Sequence, residues 1–254
     1  MAAVAPPAHR PAPPAPPPPP APHPSRALLP RAPLPRVLLR TLPRALAVLG
    51  LCYLALWGTG ALGILGLSYW ARTQTPPPAG THPLQGIRHF QPVDEAGELW
   101  RGAAPSPAGY RELARRGFTT VVDLRAEDLS AARLAEPGRA GLDVVRLPVR
   151  DGQTPAPHQV RRFLGVVGAA PGPVFVHCGA GVGRTGTMAA AYLVHTGQAS
   201  PSGAVRRNLA VGPPSVEQIY YALSLGPDRA ERPPLPVVAL SRLVDAPRRL
   251  WSRL

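Results

Sequence analysis

Lysine is missing from this chain: all 28 basic residues of its 254 are arginine. A Walker A loop ends in lysine followed by serine or threonine, so that phosphate-binding device is excluded. Acidic residues number only 14, which leaves a formal net charge of +14. Such a charge can signal nucleic acid, yet no basic block interleaved with aromatics occurs. Abundant arginine, alanine, proline and glycine point instead to a GC-rich coding sequence, and the excess reads as a solvated basic surface. No nucleic-acid partner is expected.

Cysteine is nearly absent as well. Cys52 lies in an apolar run and Cys178 in a glycine-rich stretch, which argues against an intrachain disulfide and a cysteine-based zinc cluster. No metal site and no cofactor is expected. Acidic residues are missing from positions 1–44, charged residues of either sign from Ala45 to Ala71, and Asp and Glu from the whole interval between Asp151 and Glu217.

These gaps organise the chain. Residues 1–44, with proline runs such as Pro16 to Pro20, read as a disordered Pro/Arg-rich leader that cannot bury a core. Residues 45–71 read as a single transmembrane helix, since a bilayer core takes about 20 mainly apolar residues. Tyr69 and Trp70 stand at its end, where interfacial aromatics belong. A cleaved signal peptide is the alternative, but the run is longer than the usual apolar region of one. Arg26, Arg31, Arg36, Arg40 and Arg44 precede the span and Arg72 and Arg88 follow it, so the positive-inside bias puts the N-terminus in the cytoplasm and the next domain outside. Residues 72–86, with Pro76 to Pro78, read as a linker. The tail, residues 227–254, is proline-rich and basic. Leu240, Leu243, Val244, Leu250 and Trp251 against Arg242, Arg248, Arg249 and Arg253 fit an amphipathic helix, interrupted at Pro247. A helix packed on the domain or a frayed tail is favoured over one lying on a membrane.

Residues 87–226 read as the folded domain. A short strand is expected at 98–102, followed by a helix with Ser106 as cap and Pro107 in its first turn, stopped by Gly117. Strands are expected at 118–124, 142–149 and 173–177. Helices are expected from Pro157 to Ala169, with Val160, Phe163, Leu164 and Val167 on one face, from Thr185 to about Thr196, and from Val216 to about Leu225. Strands alternating with helices predict an α/β fold with a central, mainly parallel sheet flanked by helices.

The chemistry concentrates in one stretch. An apolar run, Val174 to Val176, ends in His177-Cys178. Gly179, Ala180, Gly181, Val182 and Gly183 follow, and Arg184-Thr185-Gly186 opens a helix-like run. Small residues let backbone N–H groups turn inward, and a helix start adds partial positive charge. The same field favours a thiolate. Gly181-x-Gly183-x-x-Gly186 also matches a dinucleotide fingerprint. The acid that would bind the ribose is missing, however, and no second βαβ half follows.

His-Cys-x5-Arg-Thr resembles the protein-tyrosine phosphatase superfamily, in its small dual-specificity branch. His177 to Gly186 meets that family's HCxxGxxR[ST]G signature at every defined position. Trp100-Arg101-Gly102 and Val121-Val122-Asp123-Leu124-Arg125 resemble the segments that precede this loop in such enzymes, and the resemblance covers about residues 87–226. It implies the cysteine phosphatase fold. It also implies that Cys178 is a nucleophile forming a phosphocysteine and that Arg184 holds two phosphoryl oxygens. Backbone N–H groups from Gly179, Ala180, Gly181, Val182, Gly183 and Arg184 would bind the equatorial oxygens. Thr185 would place its hydroxyl near the sulfur, and His177 would orient the loop. Asp151, after the strand that precedes the Pro157 helix, is the best candidate for general acid. Asp123 reads as structural, holding Arg125 or a turn. Gln218 resembles the glutamine that positions the hydrolytic water in some branches, although the arginine expected just before that segment is not clearly present. Uncharged Gly179, Ala180 and Val182 favour a phosphotyrosine or phosphoserine/threonine side chain over an inositol headgroup. The expected activity is that of a membrane-anchored protein phosphatase with a phosphorylated protein as partner. The alternatives are a non-catalytic phosphoryl-binding module, a phosphoinositide phosphatase and a rhodanese-like sulfur carrier.

Overall fold

A computed structural model describes residues 36–226 and 231–247, with side chains from Thr41 onward. Residues 1–35 of the proline-rich leader and the last basic residues of the tail lie outside the described residues, while 36–44, read as the end of that disordered leader, are helical. The described residues from Ala47 onward belong to one compact unit, and the described part of the other, which ends at Leu46, is helical. Helix α1 (Arg36–Gln74) contains a stretch, Thr41–Gln74, long and apolar enough to cross a membrane by length and composition, with a mean hydropathy of 1.8 over its most apolar 18 residues. It continues beyond Ala71 into the segment read as a linker. Its end is tied down: the Ser68 hydroxyl donates to the carbonyl of Leu209 at 2.6 Å, Arg72 Nε donates to that of Ala210 at 3.1 Å, and Ala71 is fully buried.

Five strands form one sheet: β1 (Gln91–Pro92), β2 (Leu99–Ala103), β3 (Thr120–Arg125), β4 (Asp143–Val149) and β5 (Val174–Cys178). Their order is β1-β2-β5-β3-β4, parallel except for the β1–β2 pair. Side chains alternate across a strand, and the alternation divides the core. Leu99, Val122, Leu124, Val174 and Val176 face one side, and Val121 and Phe175 face the other with Tyr110, Leu113 and Phe118. Burying each such large apolar side chain contributes about 1.5–3 kcal/mol.

The helices follow from caps and spacing. Ser106 accepts from the N–H of Gly109 to start α2 (Pro107–Arg115), with Pro107 in the first turn where its missing N–H costs nothing. Helix α4 (Pro157–Ala169) buries Val160, Phe163 and Val167, three positions of one face. Helix α5 (Gly183–His195) is buried from Arg184 to Val194. Helix α7 (Val216–Leu223) starts in a capping box between Ser215 and Gln218. Helix α8 (Leu235–Val244) buries Ser241 and Val244, and the Ser241 hydroxyl accepts from the N–H of Glu217, so this part of the tail packs on the domain.

Two helices go beyond the sequence expectations: α3 (Ala131–Arg139) and α6 (Pro201–Val211). Both carried a readable start, Ser130 and Ser200-Pro201. Their apolar stripes are short and broken, by Pro137 in one and by Arg206-Arg207 in the other. Because β2, β3, β4 and β5 run parallel, their C-terminal ends share one edge of the sheet. In open α/β sheets that edge is where ligands bind.

Candidate active site

Strand β5 lies between β2 and β3 and delivers Cys178, 2% exposed, at its last position. The chain then turns over Gly179 to Val182 and enters α5. Gly181 has φ +76°, and a Cβ there would lie 2.4 Å from the backbone N of Ala103, so the turn demands glycine.

A trans peptide unit points its C=O and its N–H in opposite directions, and here the carbonyls are fixed. Gly179 O accepts from Ala104 N at 3.1 Å, and Ala180 O lies 3.0 Å from His89 Nδ1. Arg101 Nη2 donates to Gly181 O at 2.9 Å and to Val182 O at 3.3 Å. Four successive carbonyls are thereby tied outward, which turns the N–H groups of Ala180, Gly181, Val182 and Gly183 the other way. The Gly181 N–H meets Cys178 Sγ at 3.3 Å. The result is a bowl of donors at the start of a buried helix, a ready anion site. His89 holds φ +55°, the one positive value at a non-glycine among the described residues.

Arg184, 3% exposed, stands beside the bowl. Its fork grips the Glu127 carboxylate with bonds of 2.8 and 2.7 Å, and Nη1 also donates to Val149 O at 3.1 Å. Its Nε lies 3.4 Å from Asp151 Oδ1. The two Glu127 oxygens take the geometry that two oxygens of a phosphoryl group would take. The Arg184 bonds hold the Glu127 carboxyl below its ordinary range. Burial lowers the Arg184 value most of all, but the Glu127 bonds together with the charges of Cys178, Asp151 and Glu127 turn the net shift upward. Arg184 therefore stays a cation.

His177 is fully buried. Its Nδ1 lies 3.3 Å from Cys178 O and 4.0 Å from Asp123 Oδ1, and Nε2 lies 3.4 Å from the Tyr110 hydroxyl. Burial pushes its pKa down to about 4, with Asp123 acting against it, so the imidazole is neutral near pH 7. Asp123 is gripped in turn by the Arg125 fork at 3.0 and 2.9 Å.

Other expected residues are placed as follows. Asp151 follows β4 on a turn, with its side chain 46% exposed, near Arg184 as described. The Thr185 hydroxyl is buried and makes no hydrogen bond, so it is not bonded to the sulfur. Gln218, 2% exposed, accepts from Ser215 N and donates to Gln153 O, both at 3.0 Å. It also abuts the bowl, since a Cβ on Gly183 would come 2.4 Å from its Oε1.

Three residues at the site received no role from the sequence, although Arg101 lies in a segment that carries the family resemblance. Glu127 lies just past the end of a parallel strand, a position that could have flagged it. Arg101 alternates with Leu99 and Ala103 on an inward face, a signal for a buried charge. Asn208, which accepts from Arg101 at 2.9 Å, carried no signal at all. A cavity of about 750 Å³ lies elsewhere, lined by Arg72, Gln91, Asp94 and Arg206 among others, and takes no residue from the loop.

A buried thiol ringed by inward N–H groups, with an arginine fork beside it, defines a cysteine-based oxyanion site on a parallel sheet edge. Residues 80–233, more than half of the chain, match the family described as DSP-PTPase phosphatase fused to NAD+ kinase. The chain belongs to that family, and with it to the dual-specificity-like branch of the protein-tyrosine phosphatase superfamily. Over 117 residues it is 34% identical to the probable NAD kinase 2, chloroplastic, of Oryza sativa subsp. japonica, a match covering 44% of this chain and 12% of that protein. Over 116 residues it is 33% identical to the dual specificity protein phosphatase CDC14A of Mus musculus, covering 46% of this chain and 17% of that one. The chain thus spans less than a fifth of the length of these curated relatives. A crystal structure of Tk-PTP in the active form aligns with a TM-score of 0.47 and 24% identity, covering 58% of this chain and 99% of that one.

Proposed function

We propose that the chain is a cysteine-dependent protein phosphatase, anchored in a membrane by residues 45–71, that hydrolyses phosphotyrosine and phosphoserine/threonine through a phosphocysteine. The observation that carries the reading is the set of four carbonyls, Gly179 to Val182, tied away from Cys178. That arrangement makes a cradle for the three equatorial oxygens of a phosphoryl group in line with the sulfur.

The Cys178 thiolate attacks phosphorus and forms the S–P bond as the P–O bond to the substrate breaks. Asp151, protonated, gives its proton to the leaving oxygen. Arg184 exchanges Glu127 for two phosphoryl oxygens as charge spreads over them. Water then attacks the phosphocysteine, Asp151 takes its proton, the S–P bond breaks, and inorganic phosphate leaves the regenerated thiolate. Gln218, fixed against the loop beside Gln153, orients that water. His177 stays neutral and positions the loop. The Thr185 hydroxyl serves the sulfur only after a change of rotamer.

The uncharged side chains at 179, 180 and 182 favour a phosphorylated protein over an inositol headgroup. The exposed apolar stretch of α1 supports the anchor, and the arginines before it favour a cytoplasmic N-terminus with the domain outside.

The test is hydrolysis of an aryl phosphate by the full chain in detergent, with C178S as the paired variant. Turnover lost in C178S and kept in the presence of a chelator is the expected result. Turnover that survives C178S, or that stops with the chelator, rejects the mechanism. A stable phosphopeptide complex without product would point to a binding module instead. Faster hydrolysis of phosphoinositides than of phosphopeptides would reject the protein substrate, and a domain shielded from external protease in intact cells would reverse the topology.

A further inference from the structure

The underside of the cysteine loop carries a second arginine that no catalytic role claims. Arg101 sits in the middle of β2, 3% exposed, and reaches under the loop because Ala103 pairs with Cys178 in the β2–β5 register. Its Nη2 is bonded to Gly181 O, Val182 O and Asn208 Oδ1, and its Nε is buried without a partner. Among the described residues no carboxylate forms an ion pair with it. A buried cation without an anion is costly. Asn208 presents a neutral amide where an isosteric aspartate would have supplied the missing charge.

We infer that Arg101 is a positioning residue of the phosphatase site, which aims the Val182 and Gly183 N–H groups into the bowl and holds an uncompensated positive charge under the Cys178 sulfur. The first half is peptide geometry. The carbonyl of Gly181 shares a plane with the N–H of Val182, and that of Val182 with the N–H of Gly183, so pulling the two carbonyls down turns the two donors up. The second half is charge. Burial lowers the Arg101 pKa to about 10, with the Cys178 thiolate acting against that, so the guanidinium remains protonated at neutral pH. Two guanidinium groups stand against the loop that carries the sulfur, Arg184 from α5 beside Gly179 and Arg101 from β2 under Gly181 and Val182. Arg184 is already answered by Glu127 and Asp151, and His177 is neutral. Arg101 is the cation with nothing else to answer.

The inference rests on Cys178 being the working thiol of a phosphatase, but its test reads the thiol itself. In the full chain carrying C52S, the pH profile of Cys178 alkylation by iodoacetamide reports the thiolate share whether or not any substrate turns over. The decisive variant is N208D. It keeps the shape and strengthens the bond to Arg101, yet it cancels the charge. The expected midpoint of alkylation rises by about one pH unit, a roughly tenfold smaller thiolate share below it. Turnover of an aryl phosphate at neutral pH should fall about as much and recover toward higher pH. R101M should raise the midpoint too, whereas R101K should keep it and lose kcat at every pH, because one ammonium cannot hold both carbonyls. An N208D midpoint equal to the parent's, with an intact circular dichroism melt, overturns the charge. If N208D does not fold, equal midpoints in R101M and R101K overturn it instead.

Discussion

The cysteine loop has two faces that hold their positive charge by opposite means. On the outer face Arg184 is met by acids: Glu127 at 2.7 Å and Asp151 at 3.4 Å, with side chains 49% and 46% exposed. On the inner face Arg101 meets two carbonyls and an amide, all buried, and no acid at all. Exposed carboxylates can leave, so the outer partners are exchangeable for a phosphoryl group. Buried carbonyls cannot leave, so the inner charge is permanent. In the proposed phosphatase the outer cation would meet the incoming phosphoryl group and the inner one would stay with the loop throughout.

The sharpest way to break the outer face is to keep its charge and remove its fork. Arg184→Lys leaves a cation beside the bowl but cannot take two oxygens in one plane. Removing one preorganised transition-state contact of this kind costs about 10²–10³ in rate. We expect kcat/KM for an aryl phosphate to fall toward the larger figure, mostly in kcat, in steady-state assays of the full chain. A loss under tenfold would mean that the backbone cradle alone stabilises the transition state.

The same contrast explains what could be read from the sequence. The outer face is contiguous: His177 to Gly186 is one uninterrupted signature, and Asp151 is the last acid before it. Apolar runs also gave away the parallel strands β3, β4 and β5, a capping serine with a following proline gave α2, and the spacing of Val160, Phe163 and Val167 gave α4. The inner face is assembled from distant pieces. Arg101 lies under Gly181 only through the β2–β5 register, and register is not written in either strand alone. Asn208 arrives on α6, whose stretch Arg206-Arg207-Asn208 has no clear apolar stripe. Its placement is enforced by packing, since a Cβ on Gly186 would lie 1.9 Å from Asn208 Oδ1. Such contacts belong to the tertiary fold, and only the fold reveals them.

Beneath both faces lies His177, and it turns the buried side into a pH-dependent term. An exposed imidazole titrates near 6.5, but burial lowers the native value to about 4. Between those values the unfolded state binds the extra proton and the native state does not. The His177 contribution is therefore present above pH 6.5 and lost as pH falls toward 4, by up to about 3 kcal/mol. Urea unfolding at a series of pH values should show this slope in the parent, and H177N should flatten it in that window. Equal slopes in the two proteins would assign the proton uptake to another group.

The smallest expected effect tests whether the outer face is exchangeable at all. Glu127 fills the Arg184 fork through a half-exposed side chain, and pairs with so much solvent access are worth about 1 kcal/mol or less. A phosphate entering the bowl must displace that carboxylate, so the pair acts as a weak internal competitor. Glu127→Gln keeps the size and removes the charge. The inhibition constant of inorganic phosphate against aryl phosphate turnover should drop about threefold, which corresponds to a fraction of that pair energy. In Arg184→Lys the same Glu127 substitution should change little, because no fork remains to be contested. Weaker phosphate inhibition in E127Q would carry the opposite lesson: Glu127 would be aiming the guanidinium rather than filling its fork, and the outer face would be as fixed as the inner one.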